Sequence, residues 1–407
     1  MRCAMSRLLK YPLVNFPLLI SYYILLVHGS GFFSFDYYKP RFYFWDLNNG
    51  LLFWECYKKV GLDVFLTTES TLSILESCRN FNYGYFSLMY FGVIHFITKN
   101  TILLGIIQIV VFVYLVVLLY FRKDSLIKNY YLILALFSPG FFLLFASGNM
   151  DILILIFLLI SVILIASDKE KTAICLIGVS ALFKFYTVPV LFIAILIVNQ
   201  RKAKIFGSIV LLITGFIITY QFAVTPPSTF GDGAQNKFGL GIFDNYARKL
   251  GFSASNIQGE IFGFLILSGS IFFIYYCFKK FKVGSIYSGN ILTFSQVIHR
   301  NIFLLMAGAA VFCYLFTLNV DYRLVYIALA GLSLMQLPSI KVHFVSRIFP
   351  FIWLLSIWIC FPFQELKKYF VVDLQPLGDL TLIGTMSYFV FQGYYILKLV
   401  INRHNNF

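Results

Sequence analysis

Long apolar runs separated by short polar breaks make up most of this 407-residue chain. Runs near 11–29, 102–120, 130–146, 152–166, 205–222, 260–277, 301–318, 324–338, 348–361 and 382–400 carry few charges. Many are about 17–22 residues long, enough for a helix to cross the ~30 Å hydrocarbon core of a bilayer. Two stretches break the pattern. The run 86–97 is too short for an ordinary span and reads as a re-entrant or interfacial piece. The stretch 172–198 is interrupted by Lys184 and Pro189. It is either one long helix or two short helices bent back at Phe183-Lys184-Phe185-Tyr186. The bent form is preferred: a lysine at the centre of a single span is costly, and the charges flanking both ends call for the same side. The pattern predicts an all-α, polytopic integral membrane protein with about 11–13 transmembrane helices and a single transmembrane domain over 1–407.

The polar interruptions are uneven. A first long loop, about 30–84, carries Asp36, Asp46, Glu55, Asp63, Glu69 and Glu76. A second, about 223–257, opens with Pro226-Pro227 and has glycines that suggest turns rather than a domain. The shorter breaks are basic: Arg122, Lys123 and Lys128; Lys169 and Lys171; Arg201, Lys202 and Lys204; Lys279, Lys280 and Lys282. Lys and Arg collect in cytosolic loops, so these clusters predict a cytosolic N-terminus and long loops on the extracytoplasmic face. Lys367 and Lys368 fall on the outer side of this topology. The run 11–27 follows Arg2, Arg7 and Lys10 and could pass for a signal peptide, but no A-x-A-like site follows, so it reads as a retained first span.

Composition agrees: 60% hydrophobic, 12% charged, mean hydropathy +0.84, against about 45–50% and 25% in soluble domains. The net charge of +15 sits in short clusters between spans, which argues against nucleic-acid binding. Seven cysteines are too few for a disulfide scaffold. Cys175, Cys277, Cys313 and Cys360 lie in or beside apolar runs and read as core packing. Cys56 and Cys78 share the first loop and either pair there or stay as buried thiols. The five histidines show no metal-ligand spacing, and no P-loop or G-x-S-x-G element is present. Asp46 with Asp232 could hold a cation, but nothing requires it.

On this topology Asp46, Asp151, Lys184, Asp244, Arg248, Asp321 and Arg323 share the outer face. Asp46, within Phe44-Trp45-Asp46-Leu47-Asn48, is either a solvated loop acid or a carboxylate desolvated into a base by aromatic neighbours; Asp36 is its rival. Asp151 follows Gly148-Asn149 and fits a helix-start acid. Lys184 either snorkels to the interface or binds a phosphate. Arg323 either pairs with Asp321 or clamps a phosphate.

Several local motifs resemble one family. Asp46-Leu47 opens a segment closing with Gly61-Leu62-Asp63-Val64-Phe65, followed by Asn82-Tyr83-Gly84. Gly148-Asn149-Met150-Asp151, Lys184-Phe185-Tyr186-Thr187 and Asn319-Val320-Asp321-Tyr322-Arg323 come after in order. Together, over about 12–340, they resemble polyprenyl-phosphate-sugar-dependent GT-C glycosyltransferases, in the mannosyltransferase-like family once described only as a domain of unknown function. Phe65 stands where relatives tend to have tyrosine, and Thr187 where they have proline. The resemblance implies a GT-C-like fold. It implies an inverting hexosyl transfer from a polyprenyl phosphate to a glycan or glycolipid acceptor, in cell-surface polysaccharide assembly. Asp46 would be the general base, with Asp36 behind it. Lys184 and Arg323 are the phosphate candidates; Asn82, Tyr83, Asn149, Asp151, Tyr186, Arg248 and Asp321 complete the substrate-binding set. The expected partners are the lipid-linked donor, the acceptor and the bilayer, with no nucleic acid. No cofactor or divalent metal is implied, and the expected location is a bacterial plasma membrane with the site extracytoplasmic. The alternatives are an O-antigen-type polysaccharide polymerase, or a lipid-linked oligosaccharide flippase or other transporter.

Overall fold

The computed structural model describes residues 44–61, 85–121, 125–224, 265, 268–272, 275–276, 292–315, 324–337, 344–359 and 375–405. Among these residues the structure is helical, with no strand. The helices are α1 (Trp45–Val60), α2 (Tyr85–Ile97), α3 (Thr101–Tyr120), α4 (Leu126–Leu136), α5 (Pro139–Ser147), α6 (Asp151–Ala166) and α7 (Glu170–Phe183). A 3-10 turn (Phe185–Thr187) leads to α8 (Val188–Ile197), then α9 (Arg201–Val224), α10 (Phe294–Leu315), α11 (Leu324–Gln336), α12 (Phe344–Ile359) and α13 (Gln375–Asn405).

Within α3, α9, α10 and α13 lie stretches long and apolar enough to cross a membrane. Large apolar side chains point outward from them, as on α9, where Ile205, Ile209, Leu212, Phe216 and Tyr220 are exposed along one stripe. In water this would be an unpaid hydrophobic surface; against lipid tails it needs no partner. The chain is an all-α membrane protein. The other apolar helices are shorter than a full span, so length alone does not reach the expected 11–13 crossings among the described residues. One reason is visible at 130–146, expected as one piece. Pro139 takes the first position of α5, where its missing N–H costs nothing, and the run becomes two helices.

Two buried helices form the middle. α11 is enclosed from Leu324 to Leu334. α10 packs along it and also against α6, α8 and α13. Tyr120 at the end of α3 donates to the Leu329 carbonyl (2.9 Å) and meets the Ser333 hydroxyl (2.6 Å). The Lys128 ammonium reaches Gln336 Oε1 at 3.1 Å.

The interrupted stretch 172–198 is a hairpin. The Glu170 carboxylate, buried at the start of α7, accepts from the backbone N–H of Asn199 (2.7 Å) and of Gln200 (2.9 Å), just past α8. The two ends therefore meet, and the bend lies between them at Lys184. From helix rise the two arms match, about 21 Å for α7 and about 21 Å for the 3-10 turn plus α8. The open end carries Lys169, Lys171, Arg201 and Lys202, all exposed. The tip lies at the opposite pole.

The first long interruption is not wholly a loop, since α1 occupies part of it. Cys56 on α1 is disulfide-bonded; Cys78 lies outside the described residues. Of the cysteines expected in the core, Cys313 is buried but Cys175 is exposed, on the face of α7 turned away from the bundle.

Candidate functional site

The site is assembled where α1, the α5–α6 turn and the hairpin tip meet. Gly148 ends α5 in the left-handed region (φ 62°, ψ 36°), its N–H turned back to Leu144 and Phe145 carbonyls. Glycine suits that conformation because it has no Cβ to clash. Asn149 follows, and its Oδ1 accepts from the Asp151 N–H at 3.0 Å, closing an Asx turn that starts α6.

At the hairpin tip α7 stops at Lys184, whose backbone is extended (φ −143°, ψ 118°). The Thr187 hydroxyl donates to the Lys184 carbonyl at 2.9 Å, and its N–H reaches the same oxygen at 3.2 Å. Thr187 thus ties the bend with its own side chain. The Lys184 ammonium points into the protein, 2.9 Å from Asn149 Oδ1 and 3.1 Å from Asp151 Oδ1. Tyr186 donates its hydroxyl to the same Asp151 oxygen and meets the Tyr326 hydroxyl at 3.0 Å. Lys184 and Asp151 are both at least 95% buried. Desolvating two charges is tolerated when they pair and share further hydrogen bonds.

Asp46 lies in the first turn of α1. Its Oδ2 accepts from Asn149 Nδ2 at 2.5 Å. Phe44, just before it, adopts φ 60°, ψ 44°, uncommon for a bulky residue. The Phe44 N–H donates to the Ala146 carbonyl (3.0 Å), and its carbonyl accepts from Asn48 (2.9 Å). The Phe44 ring lies over Gly105 and Gly148, where a Cβ would stand 2.3 and 2.8 Å from it. These bare glycines let the ring seat and so fix the start of α1.

Asp46 is half-buried, in contrast to Asp151. Burial raises its carboxyl above the usual carboxylate range; the Asn149 hydrogen bond and the Lys184 charge pull it back, while the Asp151 charge pushes it further up and Ser147 lowers it slightly. Asp151 Oδ2 is buried with no hydrogen-bond partner among the described residues.

The structure thus brings together Asp46, Asn149, Asp151, Lys184 and Tyr186. Asp36, Asn82, Tyr83, Arg248, Asp321 and Arg323 lie outside the described residues. Asn149 and Lys184 are enclosed and engaged with protein groups. Tyr326 was not anticipated. It sits in the apolar run after Asp321-Tyr322-Arg323, three residues past Arg323, and only that helical spacing hinted that it belongs to the same end of the chain.

The model of glycosyltransferase family 87 matches residues 81–338. That range contains Asn149, Asp151, Lys184, Tyr186 and Tyr326 and begins after Asp46. No curated protein and no solved structure matches the chain.

Proposed function

This chain belongs to glycosyltransferase family 87, and on that premise we propose that it moves a hexose from a polyprenyl phosphate to a hydroxyl of a glycan or glycolipid, with Asp46 as the general base. The observation carrying this reading is the Asp46 carboxylate. It is half-buried, made more basic by burial, and braced by Asn149, Lys184 and Asp151.

The chemistry follows from that position. A sugar hydroxyl is a weak nucleophile and needs a base within hydrogen-bond reach. Asp46 takes the hydroxyl proton as the oxygen attacks the anomeric carbon. The bond from that carbon to the phosphate oxygen breaks, and its electron pair leaves with the polyprenyl phosphate. Attack opposite the leaving group inverts the anomeric centre. Charge grows on the departing phosphate, so cations there lower the barrier. Lys184 is committed to Asp151, which leaves Arg323 and Arg248 as the residues we assign to the phosphate.

The site is placed on the extracytoplasmic side in this reading, with the N-terminus cytosolic and the enzyme in a bacterial plasma membrane, serving cell-surface polysaccharide assembly. Three observations support it. The basic open end of the hairpin fits a cytosolic boundary. The tip, about 21 Å beyond it by helix rise, approaches the far edge of a ~30 Å core, where a lipid-linked phosphate resides. The disulfide at Cys56 suits an oxidising compartment.

The test is transfer in proteoliposomes, with label on a polyprenyl-phosphate hexose or on a nucleotide hexose. Label should pass from the former, with inversion read by NMR of the product. Transfer from the nucleotide sugar alone would overturn the reading, as would a reporter map placing 32–84 in the cytosol.

A further inference from the structure

We infer that Asn149 is a positioning residue for the base, its side-chain amide joining Asp46 to Lys184 so that the carboxylate is held in one orientation and linked to the buried cation. This rests on the assignment of Asp46 given above and extends it.

The amide has one orientation that fits. Nδ2 donates to the Asp46 carboxylate at 2.5 Å, while Oδ1 accepts from the Lys184 ammonium at 2.9 Å and the Asp151 N–H at 3.0 Å. Turned over, it would set an acceptor against a carboxylate and donors against an ammonium. Asn149 is 1% exposed, and all three of these contacts are internal. It lies between two elements distant in sequence, α1 and the hairpin tip, and its amide bonds the Asp46 carboxylate on one side and the Lys184 ammonium on the other. The Lys184 charge pulls the Asp46 carboxyl down, and Asn149 bonds both groups. Among the described residues, the charged groups acting on Asp46 are Lys184 and Asp151, with Ser147 and Asn149 as its hydrogen-bonding neighbours. The Glu55–His95 pair joins α2 to a point further along α1.

Asparagine is the residue this junction needs. Aspartate keeps the acceptor for Lys184 and Asp151 N–H but faces Asp46 with a second carboxylate. Alanine removes both limbs. In either case Asp46 loses a donor that favours its charged form, so it holds its proton to higher pH.

The experiment measures kcat, donor KM, the pH–rate profile and thermal stability for wild type, Asn149→Asp, Asn149→Ala and Asp46→Asn in proteoliposomes. Asn149→Asp is nearly isosteric and guards against a fold effect. It should lower kcat about tenfold or more with donor KM changed less than about threefold. The acid limb should move up by about one pH unit. An unshifted limb in Asn149→Asp, whether kcat stays or falls with stability, overturns the inference while an inactive Asp46→Asn leaves the base assignment standing. An active Asp46→Asn overturns both.

Discussion

Lys184 Nζ and Asp151 Oδ1 stand 3.1 Å apart, at least 95% buried, one from the bend of a hairpin and the other from the start of α6. Removing one partner strands a charge in a dry interior, a loss of about 3–5 kcal/mol. Lys184→Ala and Asp151→Ala should each cut thermal stability and yield sharply. The double variant Lys184→Met/Asp151→Leu should recover much of the stability and none of the transfer. Stability assays in detergent beside transfer assays check both halves.

The opposite end of the hairpin offers a contrast. Glu170 takes two backbone N–H groups at 2.7 and 2.9 Å, charge-assisted bonds of about 1.5–3 kcal/mol each. Glu170→Ala should lower the melting temperature. The pH–rate profile of the protein that remains folded should match wild type, because the bend and Asp46 lie at the other pole.

The seat of Phe44 ties α3 to the base. A Cβ at Gly105 would stand 2.3 Å from the Phe44 ring. Gly105→Ala should displace Phe44 and the Asp46 that follows it, at about 1–3 kcal/mol of overpacking, and reduce transfer. Phe44→Ala in the same chain should relieve the clash in stability without restoring transfer, since α1 loses its anchor.

Burial raises the Asp46 carboxyl. A base must be ionised, so transfer should rise with pH through a value above the ordinary carboxylate range. The same shift has the opposite sign for folding. The folded state binds this proton more tightly than the unfolded chain, so the stabilisation is complete below the unfolded pKa and is lost as pH rises through the folded value. Asp46→Asn, which cannot ionise, should therefore melt no lower than wild type at neutral pH. Thermal scans at two pH values decide it.

How far all this could be read beforehand depended on the kind of signal. Lys184 betrayed the hairpin because a charge amid an apolar run must find a boundary or a partner, and it found Asp151. Asp46, Asn149, Asp151 and Tyr186 stood out as polar residues at breaks between helices, where chain ends gather. α1 was less visible. It mixes aromatic, polar and basic residues, starts after a left-handed Phe44, and has no side-chain cap at its N-terminus, so neither periodicity nor capping announced it. Tyr326 was hidden for the reverse reason: tyrosine inside an apolar run looks like packing until a second hydroxyl is found opposite it. The two-helix form of 130–146 turned on Pro139 alone.

The most direct measurement is transfer by Asp46→Asn from a polyprenyl-phosphate hexose, in membranes holding equal amounts of variant and wild type. Loss of the base should reduce the rate by about a hundredfold or more, with the protein folded and melting no lower than wild type. Transfer at the wild-type rate would contradict the account.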